Sequence, residues 1–401
     1  MQEVVIAGYL RTAQSKSSLK DPTRDWFHKL RADDLLARLL PEVIKRTGIK
    51  ADEINDFIVG TSIGVSEQWA YGGRTPLWLA NLPKTIAAKF VDQQCGSSMA
   101  SIHIGFMEIA MGYADIVMVG GMEHMSRVPM DGPLLEKKGL VILNPLLFTD
   151  PAYKHWDMAT TTMMGLTAEK LFTQRGFTKE EMDRWGTRSH QLASKAYKEG
   201  FFKDEILPIE TEQADGKILI VDRDQAVRDD STLEGMKGLK PAFKPDGVIT
   251  AGNSSPLNAA ASSMILMSKE TAKKKGIHPM ATLRSIGFVG VDPTIMGVGP
   301  VPASSMALEK AGLQVKDIDY WEINEAFAIV VLNCVKELGI DPDRVNVMGG
   351  ATAIGHALGA TGIRLVGTLA RILKVKGGRY GLANACVGGG QGVATIIERE
   401  L

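Results

Sequence analysis

Two of the three cysteines in this 401-residue chain stand where a thiol can do chemistry. Cys95 lies in Val91-Asp-Gln-Gln-Cys-Gly-Ser-Ser-Met99. A strand-like start runs into a small-residue turn and then into an amphipathic helix, which places Cys95 at a helix N-terminus. Free amide N–H groups and the helix dipole favour an anion there, so the pattern predicts a stabilised thiolate. Gly96, Ser97 and Ser98 leave room for a carbonyl to approach the backbone. Taken alone, Cys95 fits a small buried apolar residue equally well.

His356 is the second candidate. It sits in Gly349-Gly-Ala-Thr-Ala-Ile-Gly-His-Ala-Leu-Gly-Ala-Thr-Gly-Ile-Arg364, with five glycines in its first fourteen residues. The stretch lacks the Gly-Lys-Ser/Thr ending of a phosphate loop and the dinucleotide fingerprint. A glycine-rich loop that displays one histidine suits a general base or an oxyanion donor. A capping loop with an incidental histidine is the plainer alternative. Cys386, in Ala383-Asn-Ala-Cys-Val-Gly-Gly-Gly-Gln-Gly392, ends a strand and opens a glycine turn whose amides can form an anion nest. It also fits a core cysteine. In Asn324-Glu-Ala-Phe-Ala328 a polar pair interrupts an apolar run, and such a pair needs partners or a task. Cys334, in the apolar helix expected over 327–338, reads as core.

These residues need elements to hold them. Strand-like runs at 4–7, 56–60 and 116–119 alternate with helix-like runs at 33–46 and 97–113, which argues for α/β layers. A weak repeat is present. Ala51-Asp-Glu-Ile-Asn-Asp-Phe57 is similar to Val315-Lys-Asp-Ile-Asp-Tyr-Trp321, and a helix, strand and Gly120-Gly121 are matched by a helix, the strand at 380–387 and Gly388-Gly389. The order is the same in both, so two related halves are expected. Between them, residues 122–253 are richer in charge and turn residues, with a helical stretch at 178–199 and a basic run through Arg228, Lys237, Lys240 and Lys244. This reads as an insertion on the first half, or more plainly as a solvated surface.

Bulk composition narrows the class. Hydrophobic residues make up 45 % and charged residues 23 %, the ordinary balance of a globular protein. Lys+Arg and Asp+Glu both number 46, so a basic nucleic-acid-binding surface is not indicated. No apolar run is long enough to span a membrane. The N-terminal residues read as a first strand rather than a signal peptide, which points to the cytoplasm. Three cysteines without metal-type spacing favour neither a disulfide framework nor a metal site.

Together, in this order and spacing, these segments resemble the thiolase family over essentially the whole chain. Tyr9-Leu-Arg-Thr12, Gly120-Gly-Met-Glu-His-Met-Ser126, Thr250-Ala-Gly-Asn-Ser-Ser255 and Ile295-Met-Gly-Val-Gly-Pro-Val-Pro-Ala-Ser304 add to the likeness. Cys-Gly-Ser-Ser-Met around Cys95 is most similar to the 3-ketoacyl-CoA thiolases of fatty-acid degradation. The resemblance implies a five-layer α/β/α/β/α fold of two similar halves. The first half would span 1–121 and 254–278, the inserted CoA-binding loop domain 122–253, and the second half 279–401. It also implies roles: Cys95 as acyl-carrying nucleophile, His356 as its base, Cys386 as acid and base at carbon, Asn324 holding a water, and the Gly388 amide as oxyanion donor. Arg228 and Ser231 would face the nucleotide end of CoA, Phe243 and Ser255 the pantetheine, and Met164, Met296 and Phe327 the acyl end. CoA is then a co-substrate, with no tightly bound cofactor. A homodimer or homotetramer is expected, and a hydratase–dehydrogenase partner is known for some members.

Three positions depart from the family pattern. Ala357 follows the histidine where proline is usual, which would loosen the loop. Ala259-Ala260 stand where many relatives carry Asp-Gly. Met163 stands where some acetoacetyl-specific relatives carry histidine, which leans toward longer or varied acyl chains. Other readings stay open: condensation of two acetyl-CoA molecules, or a non-catalytic acyl-CoA or lipid binder. A ketoacyl synthase lacks the second cysteine, and a cysteine hydrolase has no use for it.

Overall fold

The computed structural model describes residues 1–129 and 143–400. The remainder of the expected insertion, 130–142, lies outside the described residues. Twelve strands occur among them: β1 (Val4–Arg11), β2 (Ser15–Lys16), β3 (Asp56–Gly60), β4 (Ala87–Val91), β5 (Ile116–His124), β6 (Ile209–Glu212), β7 (Ile218–Val221), β8 (Asn258–Ser268), β9 (Ala281–Gly290), β10 (Tyr320–Ile323), β11 (Tyr380–Val387) and β12 (Gln391–Arg399).

Strand order reveals the repeat. The large sheet runs β10-β11-β12-β9-β1-β8-β5-β3-β4. Reading outward from the centre, each half starts with its first strand, β1 or β9. Its last strand follows, β8 or β12, antiparallel to both neighbours. Then come β5 or β11, and β3 or β10, paired in parallel. Parallel β4 closes the first half, and in the second a single parallel bridge from Trp321 to Val345 stands in its place. The halves meet through a short antiparallel ladder, Val4–Ile6 against Ala281–Leu283. The repeated motif is equivalent in structure too. Ala51–Glu53 and Val315–Asp317 each form one tight turn ahead of β3 and β10, and Phe57 and Trp321 are buried alike.

Helices complete the layers. Ala32–Thr47 covers the outer face of β1, β5 and β8, and Pro300–Ala311 covers β9 and β12. Acidic residues open the first of these and Lys45 and Arg46 close it, which complements the helix dipole. Between the two sheet halves lie Ser97–Ala110 and Leu358–Lys376, packed on each other. The second is buried on all sides from Leu358 to Ala370, the mark of a core helix. A Cβ at Gly362 would lie 2.2 Å from the Met99 backbone nitrogen, so only glycine permits this approach. Ser97–Ala110 stops three residues short of the expected end because Gly112 turns left-handed, φ 78°.

The segment between β5 and β8 carries the helix Lys179–Lys198, opened by a Thr178–Glu181 capping box, and the β6–β7 hairpin. Buried Arg11 at the end of β1 anchors it. Its Nε donates to Glu205 at 2.7 Å and its Nη1 to Asp224 at 2.7 Å. No helix among the described residues is long and apolar enough to cross a membrane. Removing Arg11 strands two carboxylates in a dry interior. Arg11→Ala is expected to cost about 3–5 kcal/mol in urea unfolding; a loss near zero would show that the anchor contributes no stability.

Candidate active site

Cys95 occupies a sharp turn between β4 and the helix Ser97–Ala110. Gln94 just before it has φ 46°, a left-handed conformation that costs a non-glycine residue energy. Side chains hold the turn: Gln94 Nε2 donates to Ser62 O at 2.8 Å, and Ser97 Oγ accepts from Gln93 N at 3.0 Å. The thiol packs against Met125 and Leu358, and the backbone N–H of Gly388 points at its sulfur. Cys95's own N–H is the second donor.

The expected thiolate does not form in the resting protein. Burial pushes the Cys95 thiol up to about 12, and the two backbone donors recover only part of that. The helix-terminus expectation ignored desolvation, which is the larger effect for a cysteine this enclosed. Cys386, near the end of β11, is fully buried as well. Burial raises it well above the ordinary thiol value, and nearby Cys95 and Cys334 raise it further. Both thiols therefore rest protonated.

His356 is buried at the entrance to the helix Leu358–Lys376. Thr361 Oγ1 donates to Ala357 O at 2.8 Å, which commits its only proton. The 2.6 Å contact between Thr361 Oγ1 and His356 Nδ1 must then be donated by the ring. Nε2 is then unprotonated, and its lone pair accepts from the amide Nδ2 of Asn324 at 3.2 Å. Burial, with Arg364 adding to it, holds the imidazole down to about 3, so it is a neutral base. Asn324 is fully buried, and its backbone N–H donates to Asn384 O of β11 at 2.9 Å. Its Oδ1 has no protein partner. The polar Asn-Glu pair divides its work. Glu325 accepts from Trp185 Nε1, Ser189 Oγ, Asn346 Nδ2 and the amide of Thr352, tying the helix Lys179–Lys198 to the glycine-rich loop.

Ala357 does not loosen this loop. Its φ of −72° is the value proline would impose, and its N–H donates to Gln14 Oε1 at 2.9 Å. A hydrogen bond thus replaces the ring. Ala260 packs against Ala357 and Ala360, so two of the departures from the family pattern meet in one small-residue cluster. Asn258 adds a second clamp. Its Oδ1 accepts from His356 N at 2.8 Å and its Nδ2 donates to Ser15 O at 3.0 Å. Sequence reasoning missed Gln14, Asn258 and Thr361, whose residue types signal no chemistry. It also missed the role of Glu123, a buried carboxylate beside Cys95 that accepts from the amides of Ser62 and Gly359.

Five of the seven expected ligand-contacting residues gather near this centre. Met164 Sδ lies 3.5 Å from where a Cβ of Gly388 would stand. The Phe243 ring lies against Gly165 and meets Phe327 edge-on at 6.0 Å. The Ser255 amide donates to Ala326 O at 3.0 Å. Buried Met296 shares an apolar cluster with Phe327 and Cys386. Arg228 and Ser231 lie elsewhere, along the helix Lys179–Lys198, where Arg228 N donates to His190 Nδ1 and Ser231 O accepts from Gln191.

Gly355 has φ 121°, and a Cβ there would come within 2.7–2.8 Å of the Asn258 amide atoms. Gly355→Ala should therefore displace His356 and lower turnover on the order of 10²-fold with folding retained, as seen in steady-state kinetics and thermal melts. Wild-type turnover in this variant would show that the clamp does not position the ring.

Comparison with known proteins gives the family. Residues 4–270 match the thiolase N-terminal domain and residues 277–399 the thiolase C-terminal domain. The chain is 40% identical to a 3-ketoacyl-CoA thiolase of Marinobacter nauticus, over 99% of this chain and 98% of that one. It is 43% identical to a 3-ketoacyl-CoA thiolase of Acinetobacter baumannii, with the same coverage. Among solved structures, the human mitochondrial 3-ketoacyl-CoA thiolase superposes with a TM-score of 0.87 at 33% identity, covering 100% of this chain and 99% of that one. The Bacillus anthracis acetyl-CoA acetyltransferase superposes equally, TM-score 0.87 at 35% identity and the same coverage. The chain belongs to the thiolase family and has the thiolase fold.

Proposed function

We propose that this protein cleaves 3-ketoacyl-CoA with CoA, giving acetyl-CoA and a shortened acyl-CoA through an acyl group on Cys95. One observation carries the reading: two buried, protonated thiols and a neutral imidazole share one site. A single thiol suffices for acyl transfer. A second is needed where a carbon atom must gain or lose a proton.

His356 Nε2 takes the Cys95 proton as the sulfur attacks the 3-keto carbonyl. The oxygen that becomes negative meets the N–H groups of Cys95 and Gly388. The carbon–carbon bond then breaks. The acyl group stays on Cys95, and the enolate of acetyl-CoA is held by protonated His356 and a water bound to Asn324. Cys386 gives its proton to the enolate carbon. The entering CoA thiol returns a proton to Cys386 and takes the acyl group, and Cys95 leaves and recovers its proton from His356. High resting thiol values suit this cycle, because Cys386 must arrive protonated to act as an acid.

The same reading assigns CoA to the inserted segment 122–253 and the acyl end to Met164, Met296 and Phe327. The half-buried strand β4 at the edge of the sheet, together with the exposed Trp69, Tyr71 and Trp78 that precede it in the chain, supports a homodimer formed on that edge. No tightly bound cofactor is required.

Assay with CoA and 3-ketoacyl-CoAs of increasing chain length tests the proposal through loss of the 3-keto absorbance. Turnover is expected at lengths beyond four carbons as well as with acetoacetyl-CoA, and no turnover at any length sinks it. Activity confined to acetoacetyl-CoA would favour the acetyl-CoA acetyltransferase reading. Cys386→Ser should slow cleavage on the order of 10²–10⁴-fold.

A further inference from the structure

A cationic pocket lies beside the turn between β1 and β2, where the first residues of the fold meet Gln225 of the segment between β5 and β8. Lys16, Ser17, Ser18, Arg24 and Gln225 line about 130 Å³, several times the space one water requires. Gln225 organises it. Its Oε1 accepts from the Lys16 amide at 2.7 Å, and its Nε2 donates to Arg24 O at 2.9 Å. Arg228 reaches Lys16 electrostatically from the inserted segment, as Arg24 does from its own turn; burial first, and then these two guanidinium groups, lower the Lys16 pKa. Asp229, next to Arg228, is taken by Arg223 and Ser194. Among the described residues no carboxylate forms an ion pair with Lys16, Arg24 or Arg228, and exposed Asp230 forms none either. Three like charges drawn together without a counter-charge repel, and an anion in the pocket reverses the sign of that energy. The pocket is also wired to the reacting centre. Lys16 pairs with Asn258 across β2 and β8, and Asn258 holds the amide of His356.

We propose that Lys16 and Arg24, with Arg228, bind the phosphate groups at the nucleotide end of acyl-CoA. The inference rests on the thiolysis reading and extends its binding surface to the first residues of the fold.

The test compares wild type with Lys16→Gln, Arg24→Gln and the double variant. Two thioesters are used, acetoacetyl-CoA and acetoacetyl-pantetheine, each with its matching thiol as acceptor. They share the reacting end and differ in the phosphates. The ratio of the two kcat/KM values reads the pocket, and loss of folded protein cancels from it. The ratio is expected to fall about tenfold in the double variant at low salt. An unchanged ratio overturns the proposal, whatever happens to the separate rates. If wild type cleaves neither thioester, the thiolysis reading fails, and titration with 3′-phosphoadenosine 5′-diphosphate then judges the pocket alone. Binding about tenfold weaker in the double variant supports it, and equal binding overturns it. Inorganic phosphate that binds wild type as tightly as the nucleotide would mark a generic anion site and overturn it too.

Discussion

Two helices meet at the centre of this protein, and nearly everything else follows from how closely they meet. Ser97–Ala110 and Leu358–Lys376 hold equivalent places in the two halves, each after the outer strand position and before a parallel strand. Gly362 lets the second lie directly on the backbone at Met99. Cys95 lies two residues before the first helix and His356 two residues before the second. The repeat therefore yields more than a pair of similar domains. It brings two corresponding helix entrances to one point, with a nucleophile on one and a base on the other. Cys386 comes from β11, which packs against Leu358–Lys376 and against the turn that holds Cys95.

That central position sets the electrostatics. A site formed between the two halves of the sheet is dry, and dryness acts on charge more strongly than a helix dipole does. The result is a resting centre whose three reacting groups are uncharged: two protonated thiols and an unprotonated imidazole. Proton transfer from Cys95 to His356 in the empty site would separate charge in a medium that opposes it. With a substrate carbonyl present, the negative charge moves onto an oxygen that faces two backbone donors. Activation is thereby tied to substrate, and an idle reactive thiolate is avoided.

Much of this was legible in the residues. Strand 380–387 and strand 56–60 stand where the apolar runs placed them, and the offset between Ile54 and Ile318 marked the two halves. Cys95, His356, Asn324 and Cys386 were visible because glycine turns and polar interruptions surround them. Gln14, Asn258 and Thr361 were not. Each is an ordinary polar residue whose partner lies from five to 343 positions away, and only the folded chain puts Gln14 against Ala357. The Cys95 thiol was misjudged for a related reason. A helix start can be read from local pattern, but the depth of burial depends on the opposite half of the molecule.

The account stands on Cys95 carrying the acyl group while Cys386 remains a free acid. Brief incubation with a 3-ketoacyl-CoA in the absence of free CoA, followed by peptide mass spectrometry, tests that directly. The account predicts one added acyl mass on the peptide that contains Cys95, with Cys386 unmodified. Acylation of Cys386, or release of acetyl-CoA with no acyl group on Cys95, would contradict it.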